Sequence, residues 1–145
     1  MEIKTSVPVS KEQARMYAPL TLAYLGDGVY ELLVRAHLTS RGSLPVKKLH
    51  KLAKQFVSAD AQSRFCDALA EVFLPEEADI FRRGRNAKPH TTAKNMSIAD
   101  YMKATGLEAV FGYLYLIGDG TRIHFLFSKI TQEMEMLQNE GASPG

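Results

Sequence analysis

The chain has 145 residues, 46 % of them apolar, with 18 Lys and Arg against 16 Asp and Glu and a formal net charge of +2. That composition excludes a disordered chain, and so small a charge names no partner by itself. No run approaches the roughly 18 apolar residues of a membrane span. The N-terminal MEIKTSVPVS lacks the apolar centre of a signal peptide, and Cys66, the single cysteine, excludes an intrachain disulfide and suits a reducing, cytoplasmic setting.

In chain order, residues 1–10 read as an extended leader, and Ser10 can cap a short helix from Lys11 to Tyr17. Beyond Pro19, Leu22, Leu25, Val29, Leu32, Leu33 and Ala36 recur at helical spacing, which predicts one long helix over Thr21 to Leu38. It carries Gly26 and Gly28 on either side of Asp27. Each interior glycine costs a helix about 1 kcal/mol relative to Ala, so a close approach by another helix or a ligand is expected at Leu25-Gly26-Asp27. A third helix starts at Pro45, with Val46, Leu49, Leu52, Ala53 and Phe56 on one side and Lys47, Lys48, Lys51 and Lys54 on the other. Ser58 can cap a fourth, Ala59 to Phe73. Pro75-Glu76-Glu77 opens a fifth, with proline in its first turn beside two acids, and a break is expected at Gly84. The segment Arg82 to Asn95 holds five Lys and Arg, His90 and no acid, and reads as a basic loop broken by Gly84 and Pro89. Ser97 with Asp100 resembles a capping box for a sixth helix to Ile117. Gly118-Asp119-Gly120 is a turn, and a seventh helix runs from Thr121 to about Gln138, leaving residues 139–145 as a flexible tail. No alternating strand pattern occurs. The reading is all-α, one domain of about seven helices.

Two acids stand out. Asp27 is either a solvated helix acid or a carboxylate that needs a partner, since Tyr24, Leu25, Val29 and Tyr30 surround it and a metal ion is one such partner. Glu31, one turn on, reads as the ion-pair partner of Arg35. Glu108 sits among Leu107, Ala109, Val110, Phe111, Leu114 and Leu116, on a helix apolar almost all round and therefore buried. The two acids either share a cation between crossing helices or are satisfied structural groups. Arg82, Arg83, Arg85, Asn86, Lys88 and Lys94 either form a solvated loop or contact a phosphate backbone. With no aromatic residue among them, duplex recognition is favoured over stacking on unpaired bases. Cys66 reads as core, and His37, His50, His90 and His124 have no metal-ligand spacing.

Leu22-Ala23-Tyr24-Leu25-Gly26-Asp27-Gly28-Val29 resembles the signature helix of the ribonuclease III catalytic domain. Leu107-Glu108-Ala109-Val110-Phe111-Gly112 resembles the second motif of that family. Arg83-Gly84-Arg85-Asn86-Ala87-Lys88 and the short length are similar to its Mini-ribonuclease III branch. The resemblance covers nearly the whole chain. It implies an all-α homodimer that cleaves double-stranded RNA with Mg²⁺, leaving 5′-phosphates, in maturation of bacterial 23S ribosomal RNA with help from a large-subunit ribosomal protein. It assigns Asp27 and Glu108 as catalytic and metal-binding, and no separate double-stranded-RNA-binding domain is expected. Ala23 and Thr105 stand where the full-length enzymes carry further acids. An alternative is therefore a catalytically weak RNA-binding or ribosome-assembly protein on the same fold.

Overall fold

The described residues form seven helices, α1 (Lys11–Arg15), α2 (Pro19–Thr39), α3 (Val46–Val57), α4 (Ala59–Leu69), α5 (Pro75–Asn86), α6 (Ile98–Leu116) and α7 (Gly120–Gly141). The computed structural model describes residues 3, 8–87 and 97–141, and among these no strand occurs. The all-α expectation holds. α6 is the axis: Leu107, Ala109, Val110, Phe111 and Tyr113 are fully buried, and α2, α4, α5 and α7 all pack on it. A helix apolar around its whole circumference has no face for water, so its neighbours must wrap it.

The closest packing is between α2 and α6, where glycine replaces side chains on both helices. A Cβ placed on Gly26 would fall 1.6 Å from the Glu108 carbonyl oxygen, and one on Gly112 would fall 1.9 Å from the Leu22 carbonyl oxygen. The two backbones therefore touch, which explains why α2 accepts glycine in its interior despite the propensity cost. Gly28 is different: a Cβ there meets nothing within 4 Å. Only one of the two glycines beside Asp27 serves the expected close approach within the chain.

Helix ends follow local chemistry. Ser10, Ser58 and Ser97 each accept a backbone N–H of the first turn, at Gln13, Ala61 and Asp100 respectively. Pro19 opens the first turn of α2, where an N–H is not needed, and α1 ends before it at Arg15. α4 ends at Leu69, short of the expected Phe73, with Val72 and Phe73 turned back onto the Leu69 carbonyl. The chain reverses at Gly118, whose φ of 80° favours glycine, and the Asp119 carboxylate accepts the Arg122 N–H to start α7.

One correction concerns α5. It does not break at Gly84 but continues to Asn86, so Arg82, Arg83, Arg85 and Asn86 are helical and not in a loop. Gly84 is buried, and a Cβ there would lie 2.9 Å from the Ala109 Cβ and 3.0 Å from the Gly106 Cα. This glycine lets α5 seat against α6, and that contact offsets its poor propensity. Gly106 answers it from α6, which runs through that position without a break.

At the other end of α5, Glu77 is 1 % exposed and makes two sets of bonds. It accepts the Leu74 N–H at 2.9 Å, closing the helix start, and receives Arg122 of α7 through Nε at 2.7 Å and Nη2 at 2.9 Å. Arg122 also donates to the Val72 carbonyl. This fork ties α5, α7 and the turn after α4 together. Tyr30 fills the space between α2 and α3: it is buried and donates its hydroxyl to the Phe56 carbonyl at 2.6 Å.

Candidate active site

Asp27 and Glu108 meet where α2 crosses α6. Gly26 and Gly112 remove the side chains that would otherwise hold the helices apart, so Asp27, next to Gly26, and Glu108, one turn before Gly112, come within reach of each other. Asp27 is exposed at the edge of the crossing, Glu108 lies half-buried behind it, and the two carboxyls are within hydrogen-bonding reach. Burial first, and then the repulsion of Asp27, push the Glu108 carboxyl up to about 8 from its ordinary 4.5, with a smaller push from Glu31. Two acids this close hold more negative charge than the site tolerates unaided.

Glu31 does not join the pair. Its carboxylate accepts Arg35 Nε and Nη2, each at 3.0 Å, as the i to i+4 spacing predicts. Ala23 is buried, and the Thr105 hydroxyl donates to the Tyr101 carbonyl of its own helix at 3.0 Å. Neither can supply an oxygen to the carboxylates. Among the described residues, no group of three or more His, Cys, Asp or Glu side chains forms a cation cage.

Sequence reasoning missed one neighbour. Gln62 of α4 is 3 % exposed, and its amide reaches Glu108 and favours the ionised carboxylate. It also donates Nε2–H to the Val57 carbonyl at 3.0 Å, while its Oε1 has no partner. The signal was present: Gln62 heads the stripe completed by Phe65, Cys66 and Leu69, a polar residue at an apolar register position. Cys66 itself is core as expected, donating to the Lys103 carbonyl at 3.4 Å, and burial raises its thiol to about 12.

The donor set fits a hard divalent cation. Two carboxylates come together here, and such an ion relieves their mutual repulsion. Mg²⁺ keeps several of its waters and needs few protein ligands.

The basic residues divide into separate groups. Arg83 donates to the carbonyls of Arg15 at 2.8 Å and Tyr17 at 3.3 Å, fixing the end of α1. Arg82 pairs with Asp79 one turn back. The Arg85 guanidinium lies 5.8 Å from the centre of the Phe81 ring, and Asn86 is exposed at the end of α5. Lys88 and Lys94 lie outside the described residues.

Residues 20–119 match the family model of the ribonuclease III domain. The chain belongs to the ribonuclease III family. Its relatives place it in the Mini-ribonuclease 3 branch. It is 44 % identical over 138 residues to a Mini-ribonuclease 3 of Clostridium tetani, covering 94 % of this chain and 91 % of that protein. It is 42 % identical over 118 residues to a Mini-ribonuclease 3 of Staphylococcus aureus, covering 80 % and 88 %. Its fold is similar to the crystal structure of protein FN1578 from Fusobacterium nucleatum, with a TM-score of 0.75 and 29 % identity over 81 % of this chain and 96 % of that one. The ribonuclease III motifs on α2 and α6 are the two segments that cross at Gly26 and Gly112. No helix among the described residues is long and apolar enough to cross a membrane.

Proposed function

We propose that this ribonuclease III family member is an endoribonuclease that hydrolyses double-stranded RNA with Mg²⁺ held by Asp27 and Glu108. The observation that carries the reading is the meeting of these two carboxylates on the glycine crossing of the family's two motifs. When bound, the cation supplies charge neutralisation at the scissile phosphate and lowers the pKa of a coordinated water. The chain's own part is positional. α2 holds Asp27 at the solvent edge where a phosphate can arrive, and α6 holds Glu108 behind it. Arg82, Arg83, Arg85 and Asn86 of α5, with Lys88 and Lys94 after it, are the proposed phosphate contacts. Arginine forks suit phosphate oxygens, and Arg83 does this with the donors that α1 leaves over.

A duplex needs one cut in each strand, and a two-fold dimer supplies two sites under the symmetry that relates the strands. Met16 and Tyr24 are each 84 % exposed, beside Tyr17 and Leu20. Leu20, Tyr24 and Gly28 follow at intervals of four on one face of α2, ending where no side chain fills the space. A second copy is the occupant this face suits. Tyr30, on the same helix, belongs to the core instead. The reaction belongs to maturation of 23S ribosomal RNA in the bacterial cytoplasm, with a large-subunit ribosomal protein presenting the RNA.

Incubation of the chain with duplex RNA, with and without Mg²⁺, tests the reading. Mg²⁺-dependent double-strand cuts with 5′-phosphate ends are expected. A second reading is a catalytically weak RNA-binding or ribosome-assembly protein, favoured by the apolar Ala23 and the internally bonded Thr105 hydroxyl. Binding without nicking at any Mg²⁺ concentration establishes it over the first.

A further inference from the structure

The described residues contain two buried side-chain polar atoms without a hydrogen-bond partner, the Tyr113 hydroxyl and Gln62 Oε1. A buried acceptor left unmatched costs a fold roughly 1–3 kcal/mol, so each calls for an explanation. Tyr113 is enclosed by α6 and its neighbours, away from the carboxylates. Gln62 is not: its amide is a neighbour of Glu108.

The orientation of that amide is fixed by chemistry. The Val57 carbonyl can only accept, so the –NH₂ end must face it, at 3.0 Å. The same –NH₂ group lies near Glu108, whose ionised form it favours. Oε1 is left over, on a side chain more than nine-tenths buried and with no partner of its own. What such an oxygen lacks is a donor, and the donor that a cation site brings is water of hydration.

We propose that Gln62 is a positioning residue of the metal site. One end of its amide holds the Glu108 carboxylate in place, and Oε1 accepts a hydrogen bond from a hydration water of the cation bound by Asp27 and Glu108. It thereby supplies the third protein oxygen that Ala23 and Thr105 do not provide. A neutral amide does this without adding a further negative charge to a pair that already repels. The inference rests on the metal-nuclease reading above. It goes beyond that reading in assigning α4, a helix outside both family motifs, to the site.

Titration calorimetry with Mn²⁺, on the full chain without RNA, reads cation affinity apart from turnover. Partners that orient metal ligands typically account for 10–100-fold in affinity, so Gln62→Met, close to Gln in volume, should weaken Mn²⁺ binding by about that factor. It should raise the Mg²⁺ half-saturation of cleavage by a similar factor, with the rate recovering towards wild type at saturating Mg²⁺. Gln62→Glu keeps an acceptor oxygen and should bind Mn²⁺ at least as tightly as wild type. Unchanged Mn²⁺ affinity in folded Gln62→Met overturns the proposal. So does a Gln62→Glu variant that binds as weakly as the methionine variant, which would mark Gln62 as packing alone. If Gln62→Met does not fold, Gln62→Asn decides, since it keeps an amide but draws its oxygen back by one methylene: a tenfold loss of Mn²⁺ affinity upholds the proposal, and unchanged affinity overturns it. If wild type binds no Mn²⁺ and shows no Mg²⁺-dependent cleavage, the underlying reading fails and this one with it. If wild type passes both tests, failure of the Gln62 variants removes only this inference.

Discussion

Gly26 of α2 and Gly112 of α6 occupy each other's space: a Cβ on Gly26 would lie 2.7 Å from the Gly112 nitrogen, and a Cβ on Gly112 3.0 Å from the Gly26 nitrogen. Either alanine must part the helices, since the obstacle is backbone and cannot rotate away. We expect Gly26→Ala and Gly112→Ala each to destabilise the chain by at least the roughly 1–3 kcal/mol typical of overpacking, as read by urea unfolding. Gly28→Ala, whose methyl meets nothing within the chain, should leave it folded. Equal losses at Gly26 and Gly28 would show that glycine propensity, and not the crossing, governs α2.

Asp27 lies at the exposed edge of the crossing, so its loss should affect chemistry more than folding. Asp27→Asn is expected to abolish cleavage while helical signal, thermal midpoint and duplex RNA binding stay near wild type. Near-normal cleavage would remove Asp27 from the site, and unfolding would make its carboxylate structural.

The raised pKa of Glu108 has a definite sign in stability. Between its ordinary 4.5 and about 8, the folded chain holds a proton that the unfolded chain has released. Stability contributed by this group therefore falls as pH rises through that window and levels off above it. His37 acts in the opposite direction. Burial first, then Arg41, lower its pKa below 6.5, so folding gains as pH rises through that value. Glu108→Gln removes the first effect and keeps the second. Without metal, the thermal midpoint of wild type should fall relative to that variant between about pH 5 and about pH 8.5. Millimolar Mg²⁺ should narrow the gap at the alkaline end. Parallel curves would mean that Glu108 ionises freely in the folded chain.

Arg83 and Arg85, two residues apart, should separate by readout. Removing one cation from a phosphate lowers the logarithmic salt slope of duplex binding by about 1. We expect Arg85→Ala or Lys88→Ala to weaken binding to every duplex and flatten its salt dependence, while a saturated complex still cuts at a similar rate. Arg83→Ala should in addition lower stability, because two carbonyls at the end of α1 lose their donor. If Arg85→Ala and Lys88→Ala leave the slope unchanged and variants of Lys47, Lys48, Lys51 and Lys54 reduce it, the RNA lies on α3.

Tyr24 is the test of the dimer. At 84 % exposure it contributes little to the folded chain by itself, so Tyr24→Glu should fold normally yet sediment as a monomer at micromolar concentration, where wild type is expected to sediment as a dimer. A wild-type monomer of 16.1 kDa under assay conditions would contradict the paired-cut arrangement.

The helices were legible because apolar spacing, serine caps and a proline in the first turn act locally. Their roles against one another were less so. Gly26 and Gly84 both break helical propensity, yet one lies inside an obvious apolar run and the other beside three arginines. Gly84 therefore reads as a stop, although burial against Gly106 makes it a contact. Tyr24 and Tyr30 look alike in sequence, and partners far along the chain, Phe56, Phe111 and Phe127, hold Tyr30 inside. The pairing of Asp27 with Glu108 was foreshadowed by two lone acids on apolar helices. Gln62 was not, because its meaning depends on which helix α4 faces. Glu77 was read as a first-turn acid, and its bond to Arg122, 45 residues away, could not be seen from either position.

That last bond limits how far the chain can be shortened. Glu77 is sealed inside, and Arg122 sits only two residues into α7. A version ending before α7 would leave the carboxylate without its counter-charge, at a loss of roughly 3–5 kcal/mol, and would free the Val72 carbonyl as well. Among the described residues, no buried salt bridge ties the later turns of α7. Graded deletion from the C-terminus should thus give gradual loss as Met134, Ile130 and Leu126 are exposed, then an abrupt one when the helix start is removed. The α5 N-terminus and the first turn of α7 should also open together in hydrogen exchange, as one cooperative unit assembled from distant parts of the chain.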